Sequence, residues 1–360
     1  MRGGEKVLEA LAELFPSADL FTLVYDPTLL PPAVRRLKIH SSFLQDLPRC
    51  TRWYRHYLPL FPEAVKQLDL RGYDLVITSD AALMKGIRTD ESATHICYCH
   101  TPMRCIWSGY ENPYYGFGPI TRLALSAIRG TLCRWDHEAA QRVTCFVANS
   151  QTVRGRIRKC YGRESIVIYP PVDTWRFVIG RQATQRENFF LVVSQLVPYK
   201  RIDLIVDAFN RCKRRLVIIG DGPERRKLEQ RAGRNIQFKG AVPQIQVIDA
   251  MQRCRAFVFA GEEDFGIVIA EAQACGTPVI ALGKGGAAEI VKDGLTGTFF
   301  NDECVGSLLD ALDRFERASF DAEVIRASAL KFNRGRFLNE FSNLVRDIQV
   351  QSKAQSRAPF

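Results

Sequence analysis

Short apolar runs alternate with amphipathic stretches along most of this 360-residue chain. The runs are rich in Val, Ile, Leu and Phe, which is typical of strands buried on both faces of a parallel sheet. The stretches between them repeat apolar residues at three and four positions, as helices with one buried face do. Strands are predicted at residues 20–25, 37–40, 74–79, 94–99, 145–149, 166–169, 189–194, 216–219, 236–238, 256–259 and 278–281. This alternation predicts an α/β fold built on parallel sheets.

The pattern falls into two blocks that are separated by a polar, irregular segment. We predict a first α/β domain over residues 1–172, a linker over 173–188 and a second α/β domain over 189–332. Residues 333–360 are predicted to form a C-terminal helix that packs back toward the first domain, followed by a polar tail. The chain is long enough for two domains of ordinary size.

Composition describes a globular protein of the cytoplasm. Hydrophobic residues make up 46% and charged residues 25% of the chain, and no apolar run is long enough to span a membrane. Its eleven cysteines are an odd number and include no Cys-x-x-Cys pair, which favours a reducing compartment over a disulfide framework.

The net charge of +11 indicates an anionic partner or a solvated basic surface. No nucleic-acid-binding motif is present, so we expect no nucleic acid partner, and a phosphate-bearing substrate or an anionic membrane surface fits better. Residues 42–70 combine aromatic and basic side chains in a way that suits lipid headgroups at the inner face of the plasma membrane. An insertion that packs its rings inward explains the same segment equally well.

The most informative stretch is GEEDFGIVIAEAQACGTPVIALGKGGAAE, at residues 261–289. It follows a predicted strand and contains a helical pattern at 267–274. The free backbone N–H groups of such a helix start attract an anion, and glycine permits a close approach. The residues concerned are Phe265, Gly266, Ile267 and Val268.

Two carboxylates flank this helix start. Glu263 precedes the helix and could accept hydrogen bonds from sugar hydroxyls, and Glu271 lies within the helix and could accept from a ribose. A phosphate held between two hydroxyl acceptors is the chemistry of a nucleotide-sugar site. The alternative is an acidic helix start with one exposed Glu.

Two further candidates follow the ends of predicted strands, where open α/β sheets bind ligands. His100 comes directly after strand 94–99, and Lys200 comes shortly after strand 189–194, where it could meet a diphosphate. A lone His or Lys outside such a context is more often structural.

The motifs together resemble glycosyltransferase family 4, the retaining enzymes of the GT-B fold. They are RGGEKVLEAL, YDLVITSD, CYCHTPMRCIW and ANSQTVRGRI in the first half, and VSQLVPYKRIDL, IIGDGPE, FKGAV, EEDFGIVIAEAQACGTPVIA and GGAAEIV in the second. The resemblance spans nearly the whole chain. YKRID and CHTPMR are most similar to bacterial GDP-mannose-dependent mannosyltransferases of O-antigen or exopolysaccharide assembly.

The resemblance implies two Rossmann-like domains that face each other across a cleft, with the donor held mainly by the second. It assigns a hexose contact to Glu263, a ribose contact to Glu271 and neutralisation of the leaving diphosphate to Lys200. It further places Val242 beside the base, Gly3 and Gly4 in a loop near the diphosphate, and His100 in a hydrogen bond with the hexose. His100, Lys200 and Glu263 are thus the implied catalytic residues.

The implied reaction transfers a hexose, mannose from GDP-mannose, with retention of configuration to a lipid-linked saccharide in cell-surface polysaccharide synthesis. The leaving phosphate would take the acceptor's proton on the same face. No Asp-x-Asp metal motif is apparent near the site, so we expect no metal and no cofactor besides the nucleotide sugar. Lys200 and the helix start would replace a divalent cation.

Two departures from the family pattern motivate an alternative. Gln195 stands where the family usually has Arg, and Arg201, where Gly is common, could partly replace that cation. The strand that the family has ahead of Gly3 and Gly4 is missing, although it is central in such a sheet. Either the start codon is misassigned or the chain is truncated. The alternative function is therefore that of an N-terminally truncated relic that is inactive or only binds nucleotide sugars. A dinucleotide-binding oxidoreductase is disfavoured, because no Gly-x-Gly-x-x-Gly follows a predicted strand.

Overall fold

The computed structural model describes residues 3–104, 106–107, 119–180 and 186–355. Within these ranges, no helix combines the length and the apolar character that a membrane crossing requires.

The chain divides into two compact units. The first comprises Met1–Pro171 together with Phe337–Phe360, and the second comprises Val172–Arg336. Residues 173–180 of the predicted linker belong to the second unit, where Phe177 is buried. Residues 181–185 of that linker and 356–360 of the predicted tail lie outside the described ranges.

The first unit is an α/β unit whose strands pair in parallel. Strands β3, β4, β5 and β6 form one sheet in that order, and β1 pairs with β2 alone. The elements are α1 (Gly3–Leu14), β1 (Asp19–Thr22), α2 (Pro32–Arg35), β2 (Lys38–Ser41), α3 (Cys50–Trp53), α4 (Phe61–Gln67), β3 (Leu75–Asp80), β4 (Thr94–Cys99), α5 (Pro119–Gln141), β5 (Cys145–Ala148), α6 (Gln151–Tyr161) and β6 (Ser165–Val167).

The second unit contains one parallel sheet with the strand order β12–β11–β10–β7–β8–β9. Within this unit the chain first forms β7, in the middle of the sheet. It then adds β8 and β9 on one side and β10, β11 and β12 on the other. The elements are β7 (Glu187–Val193), α7 (Ile202–Cys212), β8 (Leu216–Ile219), α8 (Arg225–Arg231), β9 (Ile236–Gly240), α9 (Gln244–Arg253), β10 (Cys254–Phe259), α10 (Ile267–Ala274), β11 (Val279–Leu282), α11 (Ala287–Ile290), β12 (Gly297–Phe300), α12 (Val305–Arg317) and α13 (Ala322–Leu330). Strand order therefore reverses between β7 and β10, which is where such sheets bind ligands.

The last helix, α14 (Arg334–Gln355), joins the core of the first unit from Phe337 onward. Phe337 and Phe341 pack against Tyr98 in the fully buried strand β4, with ring centroids 5.8 Å and 6.4 Å from that of Tyr98. Burial of these rings explains why the apolar side of α14 stays with the first sheet.

The apolar side chains of the segment at residues 42–70 include several that pack inward. Leu44, Phe61 and Val65 are buried in the first unit's core. Trp53 remains 39% exposed, and the Arg49 guanidinium lies 4.9 Å from its ring centroid. The inward-packing interpretation therefore describes the buried side chains, and the headgroup interpretation concerns the exposed surface around Trp53.

Apart from the end of β1, the strand boundaries lie within two residues of the predictions. Strand β1 ends at Thr22 rather than at residue 25, because its pairing with β2 covers only Asp19–Thr22. Strand β12, a short strand that follows a turn and pairs with β11, was not predicted.

A buried ion cluster lies beyond the carboxyl end of β3. The Lys85 ammonium contacts the carboxylates of Asp80 and Asp136, and all three side chains are at most 1% exposed. Burial opposes the charged form of Lys85, but the two carboxylates outweigh it and raise its pKa well above the ordinary value. The carboxylates thus have their counter-charge inside the core.

A buried histidine on β4 predicts how stability depends on pH. Burial lowers the pKa of His95 from 6.5 to about 4, and its Nε2 lies 3.1 Å from the Thr78 hydroxyl. As pH falls below about 6.5 the unfolded chain binds a proton that the folded protein binds only near pH 4. The free energy of unfolding should therefore fall over this range by up to about 3 kcal/mol.

Urea unfolding across pH 4 to 7 checks this prediction in two variants. His95→Gln should lose most of the slope over this range, whereas His56→Gln, at an exposed position, should keep it. An unchanged slope in His95→Gln would show that the burial of His95 is not its cause.

Candidate functional site

Lys200 and Glu263 form an ion pair at the point where strand order reverses. Lys200 lies in the loop that follows β7, and Glu263 lies in the loop that follows β10. Their side chains are 16% and 18% exposed. Because β7 and β10 are parallel neighbours, their carboxyl ends open on the same edge of the sheet. The structure thus brings together two of the three predicted catalytic residues.

Two glycines let the loops around this ion pair approach closely. A Cβ on Gly261 would lie 3.0 Å from both the Lys200 Cα and the Tyr199 carbonyl oxygen. A Cβ on Gly286 would lie 2.1 Å from the Phe265 carbonyl oxygen, and the Gly286 amide donates to the Glu263 carbonyl 2.8 Å away. No other residue fits at position 286 without a shift of the loop that holds Glu263.

Helix α10 begins beside Glu263 and directs its first backbone amides to the same edge. Gly266 has a φ of +87°, in the left-handed region, and precedes the helix. The Phe265 ring packs edge-on against Phe332 with a centroid distance of 5.2 Å, so its side chain is committed to the core. Ile267 and Val268 are half-buried. Any contact of Phe265 with a ligand is therefore left to its backbone, which suits an anion.

Two arginines hold the other end of α10. The Arg186 guanidinium donates to the carbonyls of Cys275 and Gly276 at 3.3 Å and 2.7 Å, and Arg326 donates to the Ala274 carbonyl. Burial lowers the pKa of Arg186. Cations at a helix C-terminus interact favourably with the helix dipole, so these contacts fix the direction of α10 as well as its position.

Glu271 is only 8% exposed on α10. Burial, together with the Glu271 carboxylate, raises the pKa of Cys275 to about 12. The interpretation of this region as an acidic helix start with one exposed Glu therefore does not describe Glu271.

Three other predicted donor contacts also lie in the second unit. Arg201 directly precedes α7, and its guanidinium lies 2.9 Å from Glu303 and 3.4 Å from Asp203, so carboxylates hold the predicted substitute cation. Gln195 is exposed in the loop after β7. Val242 is half-buried in the turn after β9, at the edge of the sheet.

The remaining candidates lie in the first unit. Gly3 and Gly4 form the first turn of α1 rather than a loop. A Cβ on Gly4 would lie 3.5 Å from the His100 Nε2, which also lies 2.8 Å from the Ser79 hydroxyl. The His100 backbone is held on both sides: its amide donates to the Asp80 carbonyl, and its carbonyl accepts from the Asn149 side chain.

Sequence reasoning missed several residues of these surroundings. Ser79 is the residue before the last of β3 and lies beside His100, and its position near the end of a strand was the available signal. Glu303 follows the unpredicted β12, so its contact with Arg201 had no signal in the sequence. Arg186 and Arg326 also lacked a signal, because most of their partners are backbone carbonyls of distant segments.

Among the described residues, no group of three or more His, Cys, Asp or Glu side chains is arranged to hold a metal ion. The expectation that the reaction needs neither metal nor cofactor stays a prediction.

Comparison with protein families assigns both halves of the chain. Residues 1–176 match the model described as Glycosyltransferase Family 4, and residues 173–331 match Glycosyl transferases group 1. The chain is built of glycosyltransferase domains. This confirms the broad resemblance inferred from its motifs.

Curated relatives are distant and are matched only in part. A GDP-mannose-dependent alpha-(1-6)-phosphatidylinositol monomannoside mannosyltransferase of Mycolicibacterium smegmatis is 29% identical over 58% of this chain and 65% of the relative. An uncharacterized glycosyltransferase of Methanocaldococcus jannaschii is 36% identical over 42% of this chain and 44% of its own. A D-inositol 3-phosphate glycosyltransferase of Mycobacterium leprae is 30% identical over 42% of this chain and 40% of its own. The chain thus spans less than two thirds of each of these relatives.

Solved structures confirm the fold over nearly the whole chain. Anabaena HepE in complex with UDP and glucose aligns with a TM-score of 0.69 at 18% identity and covers 96% of both chains. Sucrose-phosphate synthase from Thermosynechococcus elongatus aligns with a TM-score of 0.69 at 20% identity and covers 95% of this chain and 92% of that one. The fold is GT-B, with two Rossmann-like units.

The glycine at position 286 allows a test of the loop packing. Gly286→Ala should displace the loop that holds Glu263 and lower the free energy of unfolding by about 1–3 kcal/mol, as overpacking does. Gly306→Ala is the matched control, because nothing lies within 4 Å of its Cβ position in α12. Urea unfolding compares the two variants. Equal stability of Gly286→Ala and the wild type would contradict the close packing.

Proposed function

We propose that the protein is a retaining hexosyltransferase that moves mannose from GDP-mannose to a lipid-linked saccharide. The observation that carries the proposal is the ion pair between Lys200 and Glu263 beside the start of α10, where strand order reverses. It joins a cation for a diphosphate, a carboxylate for sugar hydroxyls and the start of a helix in one place.

Lys200 is proposed to neutralise the charge that develops on the leaving diphosphate. Its ammonium is balanced by the Glu263 carboxylate. A donor diphosphate would bring a second set of anionic oxygens, and Lys200 could then contact the phosphate while Glu263 accepts from the hexose. Preorganised charge of this kind supplies much of the acceleration in group transfer.

The acceptor is proposed to attack the sugar on the face from which the leaving phosphate departs, and its proton passes to that phosphate. Because the new bond forms on the same face as the old one, the configuration is retained. The mechanism therefore needs orientation of both substrates more than a strong base. The family resemblance assigns to His100 a hydrogen bond with the hexose. In the first unit, the Ser79 hydroxyl contacts the His100 ring and the Asn149 side chain donates to the His100 backbone carbonyl.

GDP-mannose as donor is supported by the subfamily motifs and by the name of the mycobacterial relatives. The crystal structure of HepE contains UDP, so the identity of the base is the part of the proposal most open to test. The turn that contains Val242 is proposed to border this base.

A lipid-linked acceptor in cell-surface polysaccharide synthesis is supported by the subfamily motifs and by the phosphatidylinositol monomannoside in the name of one group of relatives. We propose that the exposed Trp53 with Arg49 and Arg52 binds an anionic membrane surface peripherally, since aromatic and cationic side chains together suit the headgroup region.

The pairing of Arg201 with Glu303 favours a second candidate. Gln195 replaces one cation of the family's diphosphate clamp, and Arg201 is held by a carboxylate. A protein that binds a nucleotide sugar without transferring its hexose would have these features.

Turnover by the wild type separates the two candidates, and turnover by Lys200→Ala tests the role of Lys200. Lys200→Ala should lower kcat by roughly 10²–10³-fold, the scale of one preorganised electrostatic group. The matched control Lys227→Ala removes a cation that is 72% exposed on α8 and should leave kcat unchanged. Radiolabelled mannose transfer to extracted lipid acceptors measures both. Wild-type turnover by Lys200→Ala would contradict its role, and no turnover by the wild type would favour the binding protein.

A panel of nucleotide sugars tests the donor. GDP-mannose should raise the thermal midpoint more than UDP-glucose, UDP-N-acetylglucosamine or ADP-glucose, because the donor that binds most tightly stabilises the folded state most. A ligand at 100 times its Kd stabilises it by about 2.7 kcal/mol. Differential scanning fluorimetry with each donor at one concentration makes the comparison. A response to UDP-sugars without one to GDP-mannose would overturn the choice of donor.

A further inference from the structure

The proposed reaction assigns no role to the contact between Ser79 and His100. Ser79 and His100 stand at the carboxyl ends of the neighbouring strands β3 and β4, and the Ser79 Oγ lies 2.8 Å from the His100 Nε2. The His100 ring also packs edge-on against Tyr98, with centroids 5.2 Å apart. The imidazole therefore has a defined face as well as a defined nitrogen contact.

The end of β3 that carries Ser79 is rigidly held. The next residue, Asp80, accepts from the amides of Ala82 and Met84 and from the Lys85 ammonium. Burial raises the pKa of Asp80, but Lys85 and these amides outweigh it and lower the pKa below its ordinary value. Asp80 is thus held as a carboxylate, and its carbonyl accepts from the His100 amide at 2.7 Å.

The same ion cluster reaches the chain beyond His100. Asp136, the other partner of Lys85, accepts from the Trp107 indole at 2.7 Å and from the Tyr161 hydroxyl at 2.9 Å. Lys85 therefore connects the strand end beside Ser79 with Trp107, further along the chain from His100. A linked set of buried polar groups of this kind fixes one arrangement, because each group that loses its partner is costly.

We propose that Ser79 is a positioning residue that fixes the orientation of the His100 imidazole. The Ser79 hydroxyl can donate to Nε2 or accept from its N–H, so it holds the ring at this nitrogen in either tautomer. The ring is thereby oriented for its contact with the sugar. The value of that orientation for catalysis rests on the proposed function, in which His100 contacts the hexose.

A purely structural role for the hydroxyl is the competing explanation, and the protein contains its own control. Thr78, the residue before Ser79, makes the equivalent contact with His95, and both of these side chains are buried. Thr78→Val removes a hydroxyl from β3, the strand that also carries Ser79. It thereby removes the contact of this hydroxyl with His95 on β4. It should lower stability without changing His100.

The first arm of the test measures the imidazole itself. Nitrogen-15 spectra of the full-length protein, at a pH well above the ordinary histidine value of about 6.5, report the ring nitrogens of its five histidines. His100→Gln assigns the signal. Wild type and Thr78→Val should share one Nε2 signal at His100 and the same proton contacts between the His100 and Tyr98 rings. In Ser79→Ala the Nε2 signal should shift, because its hydrogen-bond partner is gone, and the ring contacts should weaken. Unchanged His100 signals in Ser79→Ala would overturn the proposal.

The second arm is a double-mutant cycle on mannose transfer. Ser79→Ala should lower kcat about tenfold with little change in the KM for the donor, and Ser79→Thr should restore kcat. In a His100→Ala background Ser79→Ala should have no further effect, because the group it positions is gone. An equal loss in both backgrounds would show that Ser79 acts through the fold and would overturn the proposal.

The two arms keep the proposals distinguishable. If no donor supports transfer while the His100 signals depend on Ser79, the proposed function fails and the positioning of His100 stands. If the signals do not depend on Ser79, the positioning fails whatever activity the protein has.

Discussion

The neighbouring positions of β7 and β10 in the second sheet are the constraint on which the proposed donor site depends. Only this strand order sets Lys200 against Glu263, although α7, β8, α8, β9 and α9 separate the two strands along the chain. Glycines at 261 and 286 then allow the loops to close around the pair, and Arg186 and Arg326 hold the far end of α10. Cation, carboxylate and helix start are thereby fixed in one place before any ligand arrives.

The first unit uses a buried charge cluster for a comparable purpose. Lys85, with Asp80 and Asp136, ties the end of β3 to Trp107 in a region where water cannot compensate a displaced charge. His100 lies beside this cluster rather than in it, and its amide donates to the backbone carbonyl of Asp80. Stability and the placement of the proposed hexose contact His100 thus depend on the same contacts.

Local signals predicted much of the fold, and contacts between distant segments account for what they missed. Helix α10 begins and ends where predicted, because Gly266 precedes it and Gly276 follows it. The ion pair of Lys200 with Glu263 depends on strand order, which no local pattern encodes. Arg201 was expected at the diphosphate, but its partner Glu303 follows a strand that was not predicted. Ser79 meets His100 only through the pairing of β3 with β4.

Hydrogen–deuterium exchange with and without GDP-mannose tests most directly whether the loops after β7 and β10 bind a nucleotide sugar. The account predicts slower exchange at the amides of residues 265–268 and in the loop that contains Lys200, with α12 unchanged as an internal reference. Stronger protection of these amides by GDP-mannose than by mannose alone would identify the nucleotide as the bound part. No protection in either loop, at a concentration that raises the thermal midpoint, would contradict the assignment of this site.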